Sequence, residues 1–222
     1  YQQASANGFT IVRGYAEYKK WADKAKRMIL LQGKEASNAD RYSIPYALDR
    51  NANDLTLTDI TKAGINFLMK RQGEKNGFFM MVEGGKVDWA EHANDGLTAI
   101  HEVLGFEESI QTAIDFYNEH PDETLIVVTA DHATGGFTIG NGSTGNSTYF
   151  DLLTNQKGSQ VAFADLTTEA LEKNPDLTFE EFAPQIEDYF GLVLDPDAPS
   201  EDVTNAESEA YAEELAKNRL KC

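Results

Sequence analysis

Two short stretches of the 222-residue chain concentrate side chains able to hold metal ions. The first is Glu83-Gly84-Gly85-Lys86-Val87-Asp88-Trp89-Ala90-Glu91-His92, and the second is Asp131-His132, closely followed by Gly135-Gly136. Residues four apart share one face of a helix, so Asp88 and His92 would present a carboxylate and an imidazole together, a donor pair suited to zinc. Glu83 offers an oxygen of the kind magnesium prefers. Each group also has an ordinary use, the carboxylates as turn or helix-cap residues and His92 as a surface histidine. Taken together, Glu83, Asp88, His92, Asp131 and His132 form a five-ligand set whose mixed nitrogen and oxygen donors point to a multinuclear Zn2+ and Mg2+ site. The other two histidines read as structural or surface residues, since His101 falls mid-helix and His120 precedes Pro121. Cys222 is the only cysteine, which rules out an intrachain disulfide and a thiolate zinc cluster.

These two clusters depend on the elements before them. Residues 78–82 and 125–129 are continuous apolar runs, too short for helices and suited to strands buried on both faces. Between them a helical pattern runs from about residue 93 to 119, with Leu97, Ile100, Leu104, Ile110, Ile114 and Tyr117 on one side and a break expected near Gly105. A strand, a crossover helix and a second strand should be parallel and right-handed, which would place both clusters at one edge of the sheet. Ligands bind beyond that edge in open α/β sheets. Upstream, strands at 9–12 and 28–31 flank a helix at 17–25 as one βαβ unit, and a helix capped by Thr58 carries Ile60, Ala63, Phe67 and Leu68. The glycines after Val82 should let the backbone turn sharply and approach a ligand.

Charge and composition exclude whole classes. The chain has 37 acidic and 19 basic residues, a net charge of -18, so it lacks the clustered cations that nucleic-acid binding needs. An apolar fraction of 41% excludes dominant disorder. No apolar run approaches the roughly 20 residues of a membrane helix, and Tyr1 opens no leader, as expected of a mature or cut chain. Residues 150–222 contain 17 acidic and 5 basic residues and so carry -12 of the charge. Residues 1–149 are therefore expected to be an α/β core portion bearing the metal motifs, and 150–222 an acidic, mainly helical appendage. In the appendage, Thr178 with Glu181 and Thr204 with Glu207 fit capping boxes, and Phe179, Phe182, Ile186 and Tyr189 form an apolar face. Residues 141–148 read as a polar loop and 195–199 as an exposed linker.

The strings MVEGGKVDWAEHANDGLTAIHEVLGFEESI and LIVVTADHATGGFTI resemble the metal-binding segments of alkaline phosphatases. An isolated Asp-His pair is shared with related phosphomutases and sulfatases. E-G-G-x-x-D-x-x-x-H followed about forty residues later by that pair, each behind a strand, is far more specific. Weaker similarity extends through ILLQGKEASNADRYSIPY, the helix near 57–68 and LTFEEFAPQIEDYFGL.

The resemblance implies a three-layer parallel-sheet α/β core and hydrolysis of phosphate monoesters through two Zn2+, one Mg2+ and a phosphoserine intermediate. It assigns Glu83 to magnesium, Asp88 and His92 to one zinc, and Asp131 and His132 to the other. Trp89 falls where the family places a residue near the bound phosphate, and His92 also faces that substrate position. It further implies a periplasmic or secreted parent enzyme, in keeping with homodimers.

The departures are equally specific. The family nucleophile is a serine after an aspartate, and no serine here follows one; the family's later zinc-ligand histidine has no counterpart, because none follows His132. The resemblance thus implies an internal piece of the enzyme, inactive alone. A phosphodiesterase or phosphomutase of the same superfamily and a non-catalytic acidic metal-binding module are the alternatives.

Overall fold

The computed structural model describes residues 1–36, 43–73, 76–134 and 150–191. Its chain forms two compact units, one of residues 1–90 and 98–134, the other of residues 91–97 with the described residues 150–191. The polar loop at 141–148, the linker at 195–199 and the capping box at Thr204 lie outside the described residues.

The first unit begins with a short helix α1 (Gln2–Ala6), then β1 (Phe9–Arg13), α2 (Gly14–Trp21) and β2 (Arg27–Leu31). β1 and β2 pair in parallel, with Phe9 opposite Arg27 and Arg13 opposite Leu31. This is the expected βαβ unit, though its helix starts three residues earlier than the apolar pattern suggests. The core is small: Val12, Tyr18, Ala22 and Ala63 are buried, with Tyr15, Met28, Leu30 and Phe67 packed against them. The Tyr18 hydroxyl, donating to Ala63 O at 2.9 Å, satisfies its own buried polar group. Past β2, the Gln32 side-chain amide exchanges two 2.8 Å hydrogen bonds with the Leu55 backbone, in the manner of one more rung of a ladder. That pairing sets the entry to α3 (Leu57–Leu68).

α3 is capped by Thr56, not by Thr58. Thr56 Oγ1 accepts from Asp59 N at 3.0 Å while the Asp59 carboxylate accepts from Thr56 N, also at 3.0 Å, so two orphan amides are satisfied reciprocally. Thr58 faces the crossover helix instead, its hydroxyl 3.3 Å from that of Ser109. A π-helical turn, Met69–Gly73, extends α3.

Residues 78–82 follow, and here the structure departs from the sequence. The described sheet has two strands, and neither 78–82 nor 125–129 has a ladder partner among the described residues. Exposure alternates along the first run: Phe78, Met80 and Val82 are partly covered, while Phe79 and Met81 are 89% and 80% exposed. Phe78 stacks against Phe116, and Met80 lies so close to Gly64 of α3 that a Cβ there would meet its methyl at 2.7 Å. Leu125 and Val127 are likewise exposed. A continuous apolar run signals cover on both faces, but helices cover one face only.

α4 (Gly85–His92) and α5 (Gly96–Glu119) succeed one another around Asn94, which adopts a positive φ of 53°. α5 runs unbroken through Gly105, whose carbonyl accepts from Ser109 Oγ at 3.3 Å. Its buried residues are Leu97, Thr98, Ala99, Glu102, Ser109 and Thr112, four of them polar, whereas Leu104, Ile114 and Tyr117 are substantially exposed. The apolar spacing located the helix and its buried Leu97 but missed the polar side chains it buries, which are small enough to let neighbouring segments come close.

In the second unit, α6 (Phe150–Leu153) precedes α7 (Gln160–Lys173) and α8 (Phe179–Phe190); Phe163 of α7 packs on α8, its ring 4.9 Å from those of Tyr189 and Phe190 and 5.7 Å from that of Phe182. Buried Asp95 accepts from Gln160 N at 2.8 Å and from Gln156 Nε2 at 2.7 Å, setting a negative charge on the N-terminus of α7 beside the Ser159 cap. Thr178 and Glu181 form the expected capping box on α8. Replacing Thr56 by Ala should lower stability by about 1 kcal/mol, seen as a reduced urea midpoint at constant slope; an unchanged midpoint would refute the cap.

Candidate functional site

Residues 83–92 leave the 78–82 run and wind directly into α4. Gly84 and Gly85 do not adopt positive φ, unlike Gly77 just upstream. Gly84 is instead a packing glycine: a Cβ there would meet the Phe106 ring of α5 at 3.1 Å. That contact seats the start of α4 on α5 and fixes the direction in which Lys86, Asp88 and Trp89 project.

Asp131 and His132 stand at the end of the 125–129 run. His132 N donates to Asp131 Oδ1 at 3.0 Å, a local turn that leaves the Asp131 carboxylate 90% exposed. His132 Nε2 lies 3.7 Å from Asp88 Oδ1 and 3.7 Å from Asp131 Oδ2. The two clusters, 44 residues apart in sequence, therefore meet at Asp88 and His132. A separation of 3.7 Å is too long for a hydrogen bond. A carboxylate oxygen and an imidazole nitrogen are both donor types that zinc accepts.

Thr134, absent from the sequence-based set, stands at this junction. Its hydroxyl lies 2.6 Å from Asp88 Oδ1 and 3.0 Å from His132 Nδ1. Its φ of 52° places a β-branched residue in the left-handed region, at a cost of about 1–3 kcal/mol. No periodicity or ligand chemistry singles out a threonine, so the sequence signal was confined to its place two residues after His132.

The remaining candidates lie elsewhere. Glu83 and Trp89 line an open cleft of about 300 Å³ with Ser43, Arg50, Lys86, Glu102 and Phe106. Lys86 lies between two aromatic faces, 4.2 Å from the ring centroids of both Tyr46 and Trp89. His92 is exposed one turn after Asp88 on α4. His120 stacks on Phe116 with centroids 4.7 Å apart. Among the described residues, no three His, Cys, Asp or Glu side chains close around one point.

Glu102 of α5 forms the wall of the cleft. Its Oε1 accepts from Ala47 N at 2.5 Å and its Oε2 lies 3.7 Å from Arg50 Nη2, so one buried carboxylate holds the 44–50 segment. Burial pushes its pKa above the ordinary 4.5, against the lowering effect of the Ala47 amide and the nearby Arg50 and Lys86 cations.

Known proteins resemble this chain in sequence and in fold. The alkaline phosphatase family profile matches residues 2–214. The chain belongs to the alkaline phosphatase family. Alkaline phosphatase 4 of Bacillus subtilis is 47% identical over 94 residues, which cover 42% of this chain and 20% of that protein. Alkaline phosphatase 3 of the same organism is 44% identical over 97 residues, covering 44% and 20%. The crystal structure of a cold-active alkaline phosphatase from Shewanella sp. aligns over 99% of this chain and 47% of its own, with a TM-score of 0.62 and 26% identity. The Thermus thermophilus alkaline phosphatase aligns over 98% of this chain and 41% of its own at TM-score 0.64 and 23% identity, a likeness of fold. The matches thus cover about a fifth of the length of these curated relatives and under half of these solved chains. The partial α/β fold expected from the sequence is the alkaline phosphatase fold.

Because folded Glu102 holds its proton more tightly than unfolded Glu102, its contribution to stability is fully present below 4.5 and is lost as pH rises through the raised folded value. Glu102→Gln cannot ionise, so its stability relative to the wild type should increase over that window. Urea denaturation at a series of pH values reads this directly, and a constant difference would contradict it.

Proposed function

We propose that this chain carries a metal-binding portion of a phosphate monoester hydrolase. Glu83 holds magnesium, Asp88 and His92 hold one zinc, and Asp131 and His132 hold the second. The observation that carries the reading is the approach of His132 Nε2 to Asp88 Oδ1, 3.7 Å across two segments remote in sequence. Scattered surface carboxylates, as in a non-catalytic acidic module, give no reason for that meeting. Bound there, divalent cations would neutralise phosphate oxygens and lower the pKa of coordinated water.

The chain's own residues shape the approach to that centre. Trp89 and Lys86 form one side of the cleft that Glu83 enters. The ammonium of Lys86, pinned between two rings, contributes fixed positive charge where the chain as a whole carries -18. Arg50, held by Glu102 and by its Nε donating to Pro45 O at 3.4 Å, adds a second cation to the same wall. A phosphate monoester dianion is the substrate class such a cleft favours.

The family's attacking serine follows an aspartate, and none of the 222 residues satisfies that pattern. The chain alone is therefore inactive, and turnover requires a nucleophile supplied by further polypeptide of the parent enzyme. That parent is periplasmic or secreted and homodimeric in this reading. Among the described residues no helix is long and apolar enough to cross a membrane.

Calorimetric titration with Zn2+ should show binding to the wild type that His132→Ala weakens at least tenfold, a loss typical of disturbed metal sites; superimposable titrations would remove the metal assignment. Purified chain supplied with zinc and magnesium should leave p-nitrophenyl phosphate intact. Hydrolysis that disappears in Asp131→Asn would show the chain to be catalytic by itself.

A further inference from the structure

We infer that the first unit carries a basic face that docks on an anionic lipid surface, built from the end of α2, the turn after it and the π-helical turn that extends α3. The overall charge of -18 predicts no clustered cations, yet residues 19–27 hold five of the 19 basic residues and one of the 37 acidic ones. Lys19, Lys20, Lys24, Lys26 and Arg27 are all exposed. Tyr18 and Ala22, four residues apart, are buried in the core, so α2 turns its other side to solvent, with Lys19 and Lys20 in its last turn. Glu17, the remaining acid of α2, accepts from Arg13 N at 2.7 Å. Two further cations join the face: Lys70 Nζ lies 2.5 Å from Asp23 Oδ1, and Arg71 Nη2 donates to Ala22 O at 2.6 Å.

Aromatic rings hold several of these cations in place. Lys19 lies 5.0 Å from the ring centroid of Tyr15, Lys24 5.7 Å from Trp21, Arg27 5.6 Å from Phe9 and Arg71 5.3 Å from Phe67. A long side chain already restricted in this way loses less freedom on docking. Trp21 itself is 40% exposed among the lysines. Indole rings settle at the headgroup level of a bilayer, and lysine stems lie along apolar surface while their ammonium groups reach the phosphates, so an exposed tryptophan ringed by lysines has the composition of a membrane interface. The apolar residues Tyr18 and Ala22 are committed to the core. The contact is therefore surface docking driven by charge, with Trp21 as its one large apolar group, and not insertion of a helix.

The chemistry of this face favours lipid over nucleic acid. Residues 14–27 contain no Asn, Gln, Ser or Thr, the neutral polar side chains that read base edges and ribose hydroxyls. An anionic leaflet asks only for charge density and an interfacial ring. The net charge of the chain opposes approach from afar, but charges are screened beyond roughly 8 Å at physiological salt, so the side chains that reach the surface decide whether it is held. The face shares no residue with the proposed metal site, and it stands or falls separately from that reading.

Co-sedimentation of the full chain with vesicles of equal parts phosphatidylglycerol and phosphatidylcholine tests the docking. The wild type should bind these vesicles, come off as salt is raised, and ignore vesicles of phosphatidylcholine alone. Lys19→Glu combined with Lys24→Glu should weaken binding by about tenfold or more, at roughly fivefold per cationic side chain lost. Lys157→Glu combined with Lys173→Glu makes the same change of net charge on two exposed lysines of the second unit and should bind as the wild type does. Emission of Trp21, recorded in Trp89→Phe so that one indole remains, should shift to the blue on the anionic vesicles only. Thermal melts identify a pair that fails to fold, and Lys20→Gln with Lys26→Gln then carries the comparison. No binding by the wild type, binding untouched by the Lys19 and Lys24 pair, or an equal loss in both pairs would overturn the docking face. Tighter retention of single-stranded DNA or RNA than of the vesicles would overturn its assignment to lipid.

Discussion

The buried polar stripe of α5 is the constraint on which the first unit depends. Thr98, Glu102, Ser109 and Thr112 recur at alternating spacings of four, seven and three residues, so they share one side of the helix. Beyond Leu97 and Ala99, these small or hydrogen-bonded side chains take the positions that a leucine-rich helix would bury with apolar ones. Ser109 meets Thr58 of α3, and Glu102 gathers the 44–50 segment through Ala47 and Arg50. Phe106, between them, receives the Gly84 turn from which α4 starts. A carboxylate so enclosed is costly unless its oxygens are satisfied, so the stripe specifies what must face it. The 44–50 segment, the start of α4 and the cleft between them are thereby fixed by one helix.

Much of this organisation was legible in the sequence. The βαβ unit followed from two β-branched and apolar runs around an amphipathic stretch, and the Thr178 box from its spacing. The pairing of Glu83-to-His92 with Asp131-His132 was visible as ligand chemistry, and the structure brings Asp88 and His132 together. What the sequence concealed was everything that depends on hydrogen bonding across the fold. Thr56 and Thr58 are both adequate caps by type, and only the Asp59 carboxylate chooses between them. Leu104, Ile114 and Tyr117 have helical spacing, but Glu102 and Ser109 have partners. Gly84 suggested a ligand turn and serves the Phe106 ring. Thr134 carried no signal because a hydroxyl becomes informative only when its neighbours are known.

The electrostatics divide in a related way. Residues 150–222 hold most of the net charge, while the cleft of the first unit contains Lys86 and Arg50 in fixed positions. An anion there meets Lys86 and Arg50 beside two carboxylates, Glu83 and Glu102, within a chain whose summed field repels it. Salt would screen the long-range repulsion more than the close attraction.

The uncovered face of the 78–82 and 125–129 runs has a thermodynamic consequence. Phe79, Met81, Leu125, Val127 and Val128 are already in water in the folded chain. Unfolding transfers less apolar surface than their hydrophobicity suggests, so the heat-capacity increment should fall below the usual ~12–15 cal/mol/K per residue. A smaller increment flattens the curve of stability against temperature. The fold would lose stability gradually on cooling and heating alike, with a shallow maximum in place of a sharp one.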